Sequence, residues 1–174
     1  MDNPRMKLPV TAYIGLGSNL ESPEVQIVSA LVELKAIPSS RCLIHSSLYA
    51  SPPMGPQNQP DYINAVVAIE THLEPHSLLQ ELQMIERMHQ RQRKQRWGPR
   101  TLDLDLLLYG ALTQDEVSLK IPHPGIALRA FVINPLLEIA PNLELPGLGG
   151  VRQLAAALPA GERDACIKIT SINV

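Results

Sequence analysis

Asp103 and Asp105 stand two residues apart in Thr101-Leu102-Asp103-Leu104-Asp105-Leu106-Leu107-Leu108-Tyr109, directly after the cationic Arg96-Trp97-Gly98-Pro99-Arg100. Alternating leucines and carboxylates read as a strand, on which residues i and i+2 share a face. Both carboxylates then point the same way, roughly 6–7 Å apart at the strand rise per residue, and Leu102, Leu104, Leu106 and Leu108 take the opposite, buried face. Two like charges that close repel unless a cation lies between them, and a hard ion such as Mg2+ takes oxygen ligands. A bare D-x-D is more simply two solvated aspartates on an exposed strand. With arginines immediately upstream, a magnesium–polyphosphate site is the better reading.

The arginines form a local excess that the net charge of −2 conceals. No acidic residue lies between Glu86 and Asp103, whereas Arg87, Arg91, Arg93, Lys94, Arg96 and Arg100 supply six of the 15 Lys and Arg. Such a segment suits a lid closing over a nucleotide, because guanidinium groups fork onto phosphate oxygens. It equally suits a nucleic-acid backbone, with Trp97 interleaved, or a solvated helix end. The paired aspartates favour the nucleotide, since carboxylates facing a polynucleotide without metal would repel it. Gly15-Leu16-Gly17-Ser18-Asn19 is no phosphate loop: it lacks G-x-x-x-x-G-K-[ST], and Leu20 replaces the third glycine of G-x-G-x-x-G. Side chains and metal must hold any phosphate.

The elements that would position these groups follow from periodicity. Residues 10–16 read as a strand, and Ser22-Pro23 as the N-cap and N1 of a helix with an apolar stripe of Val25, Val28, Leu31, Val32 and Ala36. Residues 42–50 and 61–71 read as two more strands, separated by a stretch (51–60) whose four prolines preclude regular structure. Pro75 opens a helix carrying Leu78, Leu79, Leu82, Ile85 and Met88. After the aspartate strand and Pro122-His123-Pro124, a helix from about Ile126 carries Leu128, Phe131, Val132 and Leu136, with Pro135 able to kink or end it. Residues from about 143 are Gly/Pro-punctuated and read, like 1–9, as peripheral extensions of one domain spanning 1–174. The order β-α-β-β-α-β is the ferredoxin-like α+β arrangement, a mainly antiparallel sheet with helices on one face.

The six aromatic residues include Tyr62 and Phe131, which could sandwich a flat heterocycle. Asn64 shares a strand face with Tyr62 and offers a donor–acceptor pair. His123, stiffened between two prolines, could face a phosphate together with Arg129. His45, His72, His76 and His89 show no metal spacing and receive no role. Two cysteines without C-x-x-C indicate neither a disulfide framework nor a zinc site. No apolar run approaches the ~20 residues of a membrane span, and the N-terminus lacks a signal-peptide core, so a reducing cytoplasm is expected.

Together, Ile14 to Leu20, Ser51 to Ala65, Arg96 to Asp105 and Ile121 to Pro124 resemble the 6-hydroxymethyl-7,8-dihydropterin pyrophosphokinases of folate biosynthesis. The resemblance covers roughly residues 12–140, with its motifs in family order. It implies transfer of the β,γ-pyrophosphoryl group of ATP to the pterin hydroxymethyl with release of AMP. By position it implies Asp103 and Asp105 as ligands of two Mg2+ ions, and Arg91 and Arg100 as catalytic arginines. Leu79, Gln83, Glu86, Arg91, Arg93, Trp97, Arg100, His123 and Arg129 would contact ATP. Ser51, Pro52, Met54, Tyr62, Asn64, Trp97 and Phe131 would bind the pterin, with Tyr62 and Phe131 stacking. Small molecules would be the only partners of a monomer, with no nucleic acid and no membrane. The other reading is a non-catalytic nucleotide- or RNA-binding module of the same fold. Such a module should carry stacking aromatics on its central strands, where this chain carries aspartates and leucines.

Overall fold

A computed structural model describes residues 8–90 and 98–170. Its centre is a six-stranded sheet built from β1 (Val10–Ser18), β2 (Ser40–His45), β3 (Leu48–Ser51), β4 (Tyr62–Thr71), β5 (Asp103–Tyr109) and β10 (Ile167–Thr170). The order is β10-β3-β4-β1-β5, with β2 also paired to β4, and every pairing is antiparallel. This is the ferredoxin-like α/β arrangement. The apolar run 42–50 becomes two strands rather than one. At the break, Ser46 N–H donates to Val66 O (2.8 Å) and Ser46 Oγ accepts from Val66 N–H (3.0 Å), so a side chain stands in for a ladder carbonyl.

Helices α1 (Pro23–Leu34) and α2 (Pro75–Met88) cover one face of the sheet. On α1 the buried stripe is Ile27, Ala30, Leu31 and Leu34, whereas Val25 and Val32 are exposed. The helix is apolar nearly all round, so periodicity alone could not choose its inner face. The larger Ile and Leu side chains go inward, each worth about 1.5–3 kcal/mol on full burial. Ser22 does not cap through its side chain; it sits in a left-handed conformation (φ 64°) and only its carbonyl accepts, from Gln26 N–H. On α2, Leu78, Leu82 and Ile85 are buried but Met88 is exposed.

The opposite face, expected to be open, is also covered. A 3-10 turn (Ile126–Leu128) leads into α3 (Ala130–Ile139), which runs through Pro135 without ending there. Residues after 143 add the β8 (Glu144–Leu145) and β9 (Gly149–Gly150) hairpin, α4 (Val151–Ala157), α5 (Ala160–Ala165) and β10. They are more than peripheral: Leu145, Val151, Ala155, Leu158 and Cys166 join α3 in a second core. Short β6 (Gln114–Asp115) and β7 (Lys120–Ile121) form a separate ribbon.

Glu138 on α3 ties this second layer to the sheet. It accepts from Ser47 N–H (3.1 Å), Ser47 Oγ (2.7 Å), Tyr49 OH (2.8 Å) and Lys168 Nζ (3.1 Å). Burial disfavours its charge, but the bonds from Ser47, Tyr49 and Lys168 outweigh it and hold the carboxyl below its ordinary value. A carboxyl depressed in the folded state contributes stability above its unfolded value and loses it as pH falls through the folded value. Glu138→Gln is therefore expected to lower the thermal midpoint at neutral pH and to show a shallower acid-side decline than the parent. Parallel curves from pH 7 to 3 would contradict this.

Candidate active site

One irregularity in β5 sets the geometry of the site. β1 and β5 pair Tyr13 with Leu108 but Ile14 with Leu106, so Leu107 is an extra residue. A bulge reverses the inside–outside alternation beyond it. Leu102, Leu104 and Leu106 face α1 and α2 as expected; Leu108 does not, and joins Leu107 and Tyr13 under α3. Asp103 and Asp105 thus lie on the α3 side, at the end of β5 that α3 leaves open.

There the sheet floors a cavity of about 300 Å3, lined in part by Asp103, Asp105, Arg100, His123, Arg129, Ser51, Pro52, Met54, Tyr62, Asn64 and Phe131. Residues from separate segments, each singled out in the sequence, therefore meet in one place. Gly17 lies opposite Asp103 and Gly15 opposite Asp105 in the register. A Cβ on Gly17 would approach Asn64 Oδ1 to 3.5 Å and Tyr62 Cδ1 to 3.9 Å, which is ordinary contact. Packing therefore does not demand this glycine; the open floor beside the carboxylates is what it provides. That floor is not legible as a site feature, because strand register is not readable from one sequence.

On the cationic side, Arg100 Nη1 is hydrogen-bonded to Asp103 Oδ2. Burial works against the guanidinium charge, yet Asp103, with smaller contributions from Tyr62 and Asp105, raises Arg100 above its ordinary value. His123 is docked on the outer edge of β5 through its N–H to Leu107 O (2.9 Å), and its Nδ1 accepts from Gly125 N–H (3.2 Å). Burial lowers the imidazole below its ordinary value, with Asp105 opposing and Arg129 assisting. Arg129 also lies 5.9 Å from the Phe131 ring centroid.

On the other side, Asn64 Nδ2 donates to Ser51 Oγ (2.9 Å) and Tyr62 OH donates to Gly98 O (2.9 Å). Asn19 is a joining residue that no sequence pattern assigns a role. Buried to 2% exposure, it donates through Nδ2 to Gln59 Oε1 (3.1 Å) and Pro60 O (3.0 Å), while its Oδ1 accepts from Arg100 N–H (2.7 Å). Its own N–H donates to Arg100 O (3.0 Å). One amide therefore links the proline-rich segment to the arginine that pairs with Asp103.

Three further expected ATP contacts lie on α2. Leu79, Gln83 and Glu86 stand on α2, outside the cavity lining. Glu86 is buried and its Oε1 accepts from Leu104 N–H (2.8 Å), pinning the edge of β5 between the two aspartates. Arg91, Arg93 and Trp97 lie outside the described residues.

The donor chemistry suits a hard cation. Two carboxylates, Asp103 and Asp105, line one cavity. That matches Mg2+, which binds through one or two carboxylates and completes its shell with water and substrate phosphates.

Two carboxylates and an arginine thus share one cavity with Tyr62, Asn64 and Phe131 on a ferredoxin-like sheet, a lining whose chemistry suits phosphoryl transfer. Residues 13–141 match the family described as 7,8-dihydro-6-hydroxymethylpterin-pyrophosphokinase (HPPK). A 2-amino-4-hydroxy-6-hydroxymethyldihydropteridine pyrophosphokinase of Haemophilus influenzae is 52% identical over 137 residues, covering 79% of this chain and 86% of its own length. One from Pseudomonas aeruginosa is 47% identical over 147 residues, covering 84% and 91%. Among solved structures, wild-type Plasmodium falciparum HPPK-DHPS with STZ-DHP matches with a TM-score of 0.68. That match, at 14% identity, spans 87% of this chain but only 43% of the other, and concerns the fold. The chain belongs to the pyrophosphokinase family.

Proposed function

We propose that the protein transfers the pyrophosphoryl group of ATP to 6-hydroxymethyl-7,8-dihydropterin, giving AMP and the pterin diphosphate for folate biosynthesis. The observation that carries this reading is the meeting of Asp103, Asp105 and Arg100 with Tyr62, Asn64 and Phe131 around one cavity. Tyr62 and Phe131 would hold the flat pterin between them, and Asn64, Ser51 and the backbone near Pro52 and Met54 would hydrogen-bond its edge. Arg100, His123 and Arg129 would bind the triphosphate, with Arg91, Arg93 and Trp97 completing the nucleotide side. Leu79, Gln83 and Glu86 would add ATP contacts from α2.

Asp103 and Asp105 would hold two Mg2+ ions, which when bound neutralise triphosphate charge and favour an in-line displacement. The chain itself contributes position and charge. Arg100 would neutralise the transferring group, and the glycine floor leaves room beside the carboxylates for cations and the phosphate they hold. No residue on the cavity need act as a strong base, because this chemistry is dominated by alignment and electrostatics. We further place the reaction in the cytoplasm, in a monomer without nucleic-acid partners. Aspartates occupy the strand face where an RNA-binding sheet carries aromatics, and no helix of the described residues is long and apolar enough to cross a membrane.

The test is product analysis with ATP, Mg2+ and the hydroxymethylpterin. AMP formed in step with pterin diphosphate, abolished by EDTA and restored by excess Mg2+, is the expected result. ADP, or turnover indifferent to chelation, would overturn it.

A further inference from the structure

Gly125 has no backbone reason to be glycine. It lies in a turn closed by Ile126 N–H donating to His123 O (3.0 Å). Its φ of −96° and ψ of 2° are those of the third position of a type I turn, open to most residues. Its N–H donates to His123 Nδ1 (3.2 Å), which any residue except proline would also do. The reason lies in space. A Cβ on Gly125 would stand 2.5 Å from Arg129 Cζ and 2.8 Å from its Nη2, and closer still to Nε. Ordinary contact needs roughly 3.5–4.0 Å. The 3-10 turn between the two residues therefore brings the Arg129 guanidinium back against the bare α-carbon of Gly125. From there it stands 5.9 Å from the Phe131 ring centroid and acts through its charge on His123. All three side chains line the cavity that holds Asp103 and Asp105.

We propose that Gly125 is a positioning residue for pyrophosphoryl transfer: its missing side chain is the berth that holds the Arg129 guanidinium at the cavity, beside Phe131, before phosphate arrives. An arginine already held there loses less rotamer freedom on binding an anion. A methyl group at position 125 would evict it. The conflict falls on the far end of a flexible side chain, so the fold should bear it at little cost. Gly125 itself touches no substrate. The inference rests on the pyrophosphokinase reading.

The test compares Gly125→Ala, Arg129→Ala and the double variant by thermal midpoint and direct binding of magnesium–ATP, with the Arg129 Nε–H resonance of the free protein followed by NMR. For Gly125→Ala the resonance should move, the midpoint should stay near that of the parent, and ATP binding should weaken on the order of tenfold, the scale of one charge-assisted hydrogen bond. The double variant should bind ATP no worse than Arg129→Ala, since both changes act through one guanidinium. Additive losses would overturn the proposal, and so would an unmoved resonance. Tighter ATP binding in Gly125→Ala would also overturn it, because the berth would then keep Arg129 away from phosphate. Should Gly125→Ala fail to fold, the double variant decides: restored folding places the conflict at Arg129 as proposed, and continued failure means that the glycine serves the turn. If the parent protein yields no AMP, the pyrophosphokinase reading fails, and the resonance and the ATP-binding comparison still decide the role of Gly125.

Discussion

Asp105→Ala is expected to abolish nearly all turnover, by a factor of at least about 10³, while the protein folds as well as its parent or slightly better. The two halves of that expectation have one cause. In the free protein Asp103 and Asp105 share a strand face, so each carboxylate raises the energy of the other, and removing one relieves repulsion. In the reacting complex the same pair would face bound cations and phosphate, and its loss removes charge stabilisation with nothing to replace it. That relief of repulsion is partly offset in both variants, because Asp103 is hydrogen-bonded to Arg100 and Asp105 acts through its charge on Arg100 and His123. Asp103→Ala should be as inactive but should lose more of the stability gain. AMP formation and thermal midpoints on the same preparations give both quantities. Turnover within tenfold of the parent for either variant would remove the aspartates from the mechanism.

Much of this site is legible in the chain itself because its parts are local. The D-x-D repeat, the arginine excess and the four-proline stretch each announce their chemistry within a few residues, and the alternation rule puts both carboxylates on one face. The family resemblance then supplies Ser51 and Met54, which no local pattern marks. What stays hidden depends on contacts between distant segments. Leu108 changes faces because β1 and β5 slip by one residue, a register event with no signature in a run of leucines. The choice between the Val25–Val32 stripe and the Ile27–Leu34 stripe of α1 is made by the sheet beneath. Glu86 reads as another polar helix position until the unpaired edge of β5 brings Leu104 N–H to it. The segment after 143 carries few apolar repeats, yet β10 finds an edge on β3 and Glu138 a lysine on β10.

Asn19 supplies the second large expectation, and comparing two substitutions there separates its two halves. Asn19→Ala deletes the amide outright, leaving Arg100 N–H and Pro60 O short of their partners in a largely buried position. About 1–3 kcal/mol of stability should be lost, with KM raised for both substrates, since the proline-rich segment and Arg100 are both released. Asn19→Asp acts on one half only. A carboxylate still accepts from Arg100 N–H, so the arginine side keeps its support. It has no hydrogens for Gln59 Oε1 and Pro60 O, and it turns two hydrogen bonds into contacts between acceptors. The proline-rich segment, which brings Ser51, Pro52 and Met54 to the cavity, should therefore detach alone. The expected outcome is a pterin KM raised on the order of tenfold, the scale of losing one or two hydrogen bonds, with ATP affinity near the parent value. Were Asn19→Asp to weaken both substrates equally, the amide would serve general packing of the site. A variant indistinguishable from the parent would mean that the two segments hold their places without it, and that the selection of asparagine here has another cause.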